Sequence, residues 1–348
     1  MKGNVMRIGI LFGGVSWEHE ISIVSAITLK KVLNFKNISF IFLDKNHNFY
    51  EIESEAMHAG FFTSTEYIKC SHLGVDNRGF FKTSFFSKKY LEIDLIINLI
   101  HGADGEDGTI ASLLDFYQIP FIGPRMEASV LSFNKHYTKL FAQSRGVPML
   151  PFEILEEKSK RETSLQLPLI VKPSRLGSSI GVNIVRDLKE FNYALDCAFE
   201  YDKEVILEPF VEGVKEYNLA GYKAKDFVFS IIEEPKKKDF LNFENKYLDF
   251  SRDEKTEDAD IPQAIAEKMR ESFKKIYENC FEGALIRCDF FVIDGEVFLN
   301  EINPIPGSMA NYLFKDFNRA ITELYENLPR KKTIPIDYQY IKKIQKAK

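Results

Sequence analysis
The stretch from residue 284 to residue 307 constrains this chain more than any other, because it reads as two strands joined at Asp294-Gly295. An Asp-Gly pair between apolar runs is a strong hairpin signal. Four polar residues interrupt the runs: Arg287, Asp289, Glu301 and Asn303. All four are odd-numbered, so each pair lies on one face of its own strand. The two pairs share a face only where the loop sets an even register. A three-residue loop, Ile293-Asp294-Gly295 with Gly295 left-handed, sets that register; a two-residue Asp-Gly turn does not. The expected result is three oxygen ligands and one guanidinium on a single surface. Such oxygens suit Mg²⁺ held together with substrate phosphates. An Arg beside them suits a developing oxyanion or a phosphoryl group. A surface salt bridge is the ordinary alternative. The flanking Ile286, Phe290, Phe291, Val297 and Leu299 are apolar, and burying polar groups among them without a ligand or metal is costly.

The 348 residues favour two or three domains. Hydrophobic residues make up 45% of the chain and include 31 Phe, enough for large cores. The net charge is −5 and no long Lys/Arg block appears, which argues against nucleic acid as a partner. Cys70, Cys197, Cys280 and Cys288 lack Cys-x-x-Cys spacing and read as reduced thiols. The apolar run at 8–12 is too short for a signal peptide core, and no run reaches membrane-spanning length. A soluble cytoplasmic enzyme without a membrane partner is the expectation.

Apolar runs at 7–12, 40–43 and 94–100 read as buried strands, with helices at 16–33 and 109–118 between and after them. This alternation implies a parallel sheet with helices on both faces, a Rossmann-like unit over residues 1–122. Residues 46–90 show no clear pattern. A small α+β unit over 123–210 carries a helix at 132–146, strands at 169–172, 182–185 and 205–208, and a helix at 187–200. A third unit, 211–340, holds the hairpin. Within it residues 233–262 are charged and aperiodic but include Phe243, Tyr247, Leu248 and Phe250, the pattern of a lid that closes.

Four loops carry chemistry. Residues 172–181, Lys-Pro-Ser-Arg-Leu-Gly-Ser-Ser-Ile-Gly, follow a strand and offer amide, hydroxyl and ammonium donors to phosphates. The loop is neither a Walker A motif nor Gly-x-Gly-x-x-Gly. At Glu208-Pro209-Phe210-Val211, the Pro209 carbonyl and Val211 amide have the spacing to read an adenine edge, although a tight turn at a junction is the commoner use. Residues 13–20, Gly-Gly-Val-Ser-Trp-Glu-His-Glu, make a strand–turn–helix junction whose free amides form an anion site. There Ser16 would cap the helix, Glu18 could hold an ammonium group, and Trp17 is expected to pack. Residues 101–108, His-Gly-Ala-Asp-Gly-Glu-Asp-Gly, lie at a strand end, where open α/β sheets bind ligands. His101 alone among the histidines has a functional setting.

In this order these motifs resemble the ATP-grasp superfamily and, within it, the D-alanine–D-alanine ligase family, over nearly the whole chain. The resemblance implies an ATP-grasp fold behind a Rossmann-like substrate domain, and two reaction steps. ATP phosphorylates the carboxylate of one D-alanine; the amine of a second attacks the acyl phosphate. It implies that Asp289, Glu301 and Asn303 hold two Mg²⁺ (or Mn²⁺) ions and that Arg287 stabilises the tetrahedral oxyanion. Lys135 and Lys172 would contact ATP phosphates, with Lys246 reaching toward them. Glu208, Pro209 and Val211 would take the adenine, and Glu216 the ribose. Glu18 would hold the first ammonium with His101 nearby, and Ser178 would link Glu18 to the lid residue Tyr247. Gly307, Tyr312 and Leu313 would take the second substrate. A homodimer is implied as well.

The chain departs from the family pattern in three places. Pro304-Ile305 follows the metal Asn, where Thr-Leu or Thr-Ser is usual. Pro209 stands where the adenine turn commonly has Lys. Tyr312 occupies a position often filled by Ser that meets the second substrate's carboxylate, which a phenol can also serve as donor. Competing functions are a D-alanine–D-lactate ligase, another ATP-grasp carboxylate–amine ligase, and a non-catalytic nucleotide-binding module. Tyr247 counts against the first, Glu18 with Ser178 and Tyr247 against the second, and the intact hairpin set against the third.

Overall fold
Long apolar runs become the inner strands of three sheets in the computed structural model, which describes residues 6–84, 87–235 and 256–346. The N-terminal sheet is built from β1 (Arg7–Gly13), β2 (Asn37–Leu43), β3 (Phe49–Ile52), β4 (Ser71–Asp76), β5 (Gly79–Thr83), β6 (Lys88–Tyr90), β7 (Leu95–Asn98) and β8 (Phe121–Ile122). Their order is β6-β5-β4-β3-β2-β1-β7-β8. Strands β2, β1, β7 and β8 run parallel, as the alternating pattern implies. The unassigned stretch 46–90 adds β3 to β6 as an antiparallel extension. Helices α1 (His19–Val32), α2 (Ala59–Thr63) and α3 (Thr109–Phe116) accompany this sheet. Helix α1 starts at His19 rather than Ser16, and Ser16 does not cap it from the N-cap position, which Glu18 occupies.

The second sheet has the order β11-β10-β12-β9, all antiparallel, from β9 (Glu153–Glu156), β10 (Leu169–Pro173), β11 (Asn183–Val185) and β12 (Glu204–Pro209). The single helix expected over 132–146 is two: α4 (Met126–Phe133) and α5 (Lys135–Ser144). Asn134 breaks them with an extended backbone, and its side chain accepts the amides of His136 and Tyr137. A free cap of this kind outweighs helical continuity. Helix α6 (Leu188–Phe199) begins with an Asp187–Glu190 capping box.

The third sheet, β14-β13-β15-β16, comprises β13 (Lys215–Lys223), β14 (Phe227–Glu233), β15 (Ile286–Ile293) and β16 (Glu296–Asn303). Helix α7 (Gln263–Tyr277) buries Met269, Phe273 and Ile276 with Leu219, Cys288, Phe290 and Leu299 in one core. Residues that alternate with these point to the opposite face. A 3₁₀ segment (Gly307–Leu313) and helices α8 (Phe317–Glu326) and α9 (Gln339–Lys346) follow. Met309, Leu313, Phe317 and Ile321 join Ile8, Ile10 and Leu29 in a single core, so the C-terminal segment is packed onto the N-terminal sheet. No described helix is long and apolar enough to cross a membrane.

The hairpin turn differs from expectation. Ile293 pairs with Glu296, and Asp294 and Gly295 have φ of 51° and 79°. This is a two-residue turn of the mirror-image type, not a three-residue loop. It pairs Phe290 with Leu299, a register that would put Asp289 and Glu301 on opposite faces. A slip then follows: Asp289 pairs with Glu301 and Arg287 with Asn303. Asn300 is the extra residue, a β-bulge that supplies the even register the turn does not.

Candidate active site
The bulge places the four polar residues together. Glu233, Asn218, Asp289 and Glu301 form one cross-strand row over β14, β13, β15 and β16, and Arg287 and Asn303 pair in the next row. Asp289 is only 2% exposed. Its carboxylate accepts two bonds from the Arg287 guanidinium, 2.7 and 2.8 Å, and one from the Asn303 amide at 3.0 Å. The same amide reaches Glu301 Oε1 at 3.5 Å. Asp289 and Glu301 hold the Arg287 guanidinium well above its ordinary range, although burial opposes this.

This donor set fits a hard divalent cation. Two carboxylates stand opposite each other, and an amide donates to both, where a cation would attract the same oxygens. Turning that amide would add its own oxygen, giving the all-oxygen set Mg²⁺ prefers. Asp289, Glu301 and Asn303 are thus brought together as expected.

The second sheet contributes a buried ion triad. Glu208, 3% exposed, accepts from Lys172 Nζ at 2.9 Å and is in contact with Lys139 Nζ. Burial works against its charge, but Lys172 and Lys139 hold its carboxyl down to about 2. The carboxylate therefore turns inward to two ammonium groups. Pro209 ends β12 opposite Leu169, and the Phe210 amide donates to the Pro168 carbonyl. Lys139 was missed from sequence, because a lysine on a helix reads as a solvated residue. Lys135, at the start of α5, donates to the Leu176 carbonyl at 2.5 Å and is lowered by burial. Glu216 lies on β13 and acts electrostatically on Lys172.

The N-terminal sheet supplies the third side. Glu18 is buried and accepts a hydrogen bond from the Ser178 hydroxyl, joining α1 to the Gly/Ser loop. Gly177 allows this approach: a Cβ there would lie 2.9 Å from Glu18 Oε1. Ser16 Oγ accepts from the Glu18 amide and donates to the His101 carbonyl. Burial and the nearby Glu106 push the Glu18 carboxyl up. His101 is 4% exposed and lowered to about 4 by burial; its Nε2 meets Ser25 Oγ at 2.9 Å. Ser25 Oγ also accepts the Ser308 amide, which ties the 3₁₀ segment to α1. Glu106, another residue sequence reasoning passed over, is pushed up to about 8 by burial, with Glu301 and Asp107 adding to the effect.

Not every expected residue converges. Trp17 is 66% exposed and meets Tyr201 edge-on, so it is not a packing residue of the core. Leu313 is buried in the core, while Tyr312 beside it directs its hydroxyl to Glu233. Gly307 opens the 3₁₀ segment. Lys246 and Tyr247, with Phe243, Leu248 and Phe250 of the expected lid, lie outside the described residues.

Two four-stranded antiparallel sheets, each carrying buried charge, beside a partly parallel sheet are the layout of an ATP-grasp ligase. Family models described as the D-ala D-ala ligase N-terminus and C-terminus match residues 7–124 and 141–328. A D-alanine–D-alanine ligase of Helicobacter hepaticus is 56% identical over 99% of both chains. The crystal structure of the Helicobacter pylori D-alanine–D-alanine ligase superposes with a TM-score of 0.84 at 52% identity, covering 94% of this chain and 100% of that one. A Bacillus anthracis ligase complexed with ATP, 22% identical, shares the fold with a TM-score of 0.59 over 91% of this chain and 99% of that one. The chain belongs to the D-alanine–D-alanine ligase family.

Proposed function
We infer that the protein is an ADP-forming ligase that joins two D-alanine molecules into D-alanyl-D-alanine for peptidoglycan precursor synthesis. The carboxylate of the first D-alanine attacks the γ-phosphorus of ATP, and ADP leaves. The amine of the second attacks the resulting acyl carbon, and phosphate leaves from the tetrahedral adduct.

The residue roles proposed are those the family resemblance implies, supported by contacts where the residues are described. Glu18, fixed by Ser178 and the Gly177 approach, holds the first ammonium, with neutral His101 behind it. Arg287 faces the reacting carbonyl and stabilises its developing oxyanion, a contribution of about 3 kcal/mol for one such donor. Lys135 and Lys172 bind ATP phosphates; the Pro209 carbonyl and Val211 amide take the adenine beside Glu208, and Glu216 takes the ribose. Two Mg²⁺ (or Mn²⁺) ions held by Asp289, Glu301 and Asn303 would neutralise phosphate charge. Gly307, Leu313 and Tyr312 border the second substrate. Tyr247 and Lys246 close a lid, which keeps water from the acyl phosphate. The working division is a substrate domain at 1–122 and ATP-grasp subdomains at 123–210 and 211–340, in a cytoplasmic homodimer.

The observation that carries this function is the meeting of Arg287, Asp289, Glu301 and Asn303 on the sheet face that α7 leaves open. Its test is phosphate release from ATP. D-Alanine should drive release, and L-alanine should not; no D-alanine-dependent turnover would overturn it.

A further inference from the structure
A third lysine is buried beside the two assigned to the ATP phosphates and has no part in the steps above. Lys139 lies one turn beyond Lys135 on α5, so both side chains leave the same face of the helix. Lys135 reaches the Leu176 carbonyl in the Gly/Ser loop, and Lys139 reaches Glu208 Oε1 on β12. The Lys139 side chain is 2% exposed and that of Glu208 4%, while that of Lys172 is 13% exposed. Lys139 is thus the inner partner of the carboxylate and Lys172 the outer one. The Phe152 ring stands 5.9 Å from Lys139 Nζ.

A lysine buried this far needs an anion to stay charged. Burial pushes the Lys139 ammonium down, and Glu208 works against that. Burial also opposes the charge of Lys172, but there Glu208 prevails and lifts it. The two oxygens of Glu208 divide between the lysines: Oε1 goes to Lys139, and Oε2 accepts from Lys172 at 2.9 Å. An ammonium has three protons to give, and Lys172 gives one of them here.

Removing Lys139 would change both the charge and its direction. Oε1 would be left buried without an ammonium, a cost that draws Lys172 onto both oxygens. One carboxylate and one ammonium would remain, with no excess cation for a phosphate to meet. We propose that Lys139 is a positioning residue for the nucleotide: by holding the inner oxygen of Glu208, it keeps the Lys172 ammonium turned outward to the phosphates. This rests on the ATP-binding roles inferred above and deepens them. Lys139 stays behind Glu208 and acts through it, so its effect follows the phosphates of the ligand and not the base.

The experiment titrates ATP and adenosine, both without Mg²⁺, and reads the ratio of the two affinities. In Lys139→Met that ratio should fall about tenfold through weaker ATP binding, the loss expected for one charge-assisted hydrogen bond. Adenosine should bind Lys139→Met as it binds the unaltered protein, which also shows that the variant is folded. Adding Glu208→Gln should restore the ratio. With the carboxylate gone, Lys172 has no anion to close onto, and one unopposed ammonium remains, as in the unaltered triad. Lys139→Gln, which can still donate to Oε1, should lower the ratio in the same direction and serves where Lys139→Met does not fold. An unchanged ratio in Lys139→Met or, failing that, in Lys139→Gln overturns the proposal. A double variant whose ratio stays as low as that of the single one overturns it too, because a merely structural lysine is not rescued by neutralising its partner. Failure of the unaltered protein to bind ATP would instead sink the nucleotide roles themselves.

Discussion
The two antiparallel sheets of the ATP-grasp unit bury charge in opposite ways. On the second sheet one carboxylate, Glu208, lies between two ammonium groups, Lys139 and Lys172. On the third sheet Asp289 is paired with the Arg287 guanidinium, and Glu301 stands opposite Asp289 and acts on that guanidinium electrostatically. Among these named groups the first cluster has one more cation than anion, and the second one more anion than cation. Buried ions cost several kcal/mol each unless they are paired, so neither remainder is there for stability. Their signs suit the two halves of a metal–nucleotide complex: phosphate toward the lysines, cation toward the hairpin.

If the Glu208 triad is a closed structural device that also presents Lys172, removing its anion should be costly for folding. Glu208→Ala leaves two buried ammonium groups facing each other, and about 3–5 kcal/mol of stability should be lost. Denaturant unfolding would measure it; a loss of less than about 1 kcal/mol, the range of exposed pairs, would mean the triad is solvated and the contrast false.

A smaller effect separates the two regions by pH. Glu208 is held down to about 2, so its contribution is complete above pH 4.5, its unfolded value, and is lost only as pH falls toward 2. Glu106, beside the hairpin acids, is pushed up to about 8. Between pH 4.5 and 8 the native chain thus binds a proton the unfolded chain has released. Stability of the nucleotide-free protein should fall as pH rises through that window, by at most about 1.4 kcal/mol per pH unit from this group. Glu106→Gln should flatten the slope. An identical slope in the variant would show that Glu106 is already ionised.

How much of this could be read from the chain depended on whether a feature leaves a local mark. The apolar strands and the Gly-rich loops do, and they located Glu18, Lys172, Arg287 and Asp289. The antiparallel strands in 46–90 are short and mixed in polarity, so periodicity did not reveal them. Register was the instructive failure. Asp-Gly announced a turn, but the correcting bulge at Asn300 sits five residues beyond Gly295, where nothing in the composition marks it. Lys139 and Glu233 were invisible for a related reason: each looks like an ordinary charged surface residue until the fold buries it against a partner. Asn134 was legible in principle, since Asn is a preferred cap, but the apolar pattern ran through it.

The charge contrast is tested most directly by how Mg²⁺ changes ATP affinity. Calorimetric titration with ATP, with and without Mg²⁺, should show clear tightening in the unaltered protein. In Glu301→Gln the Mg²⁺-free affinity should persist, because the lysines are untouched, while the gain from Mg²⁺ should be largely lost. A Glu301→Gln protein that still tightens on ATP as the unaltered one does would contradict the assignment of the hairpin face to the cation.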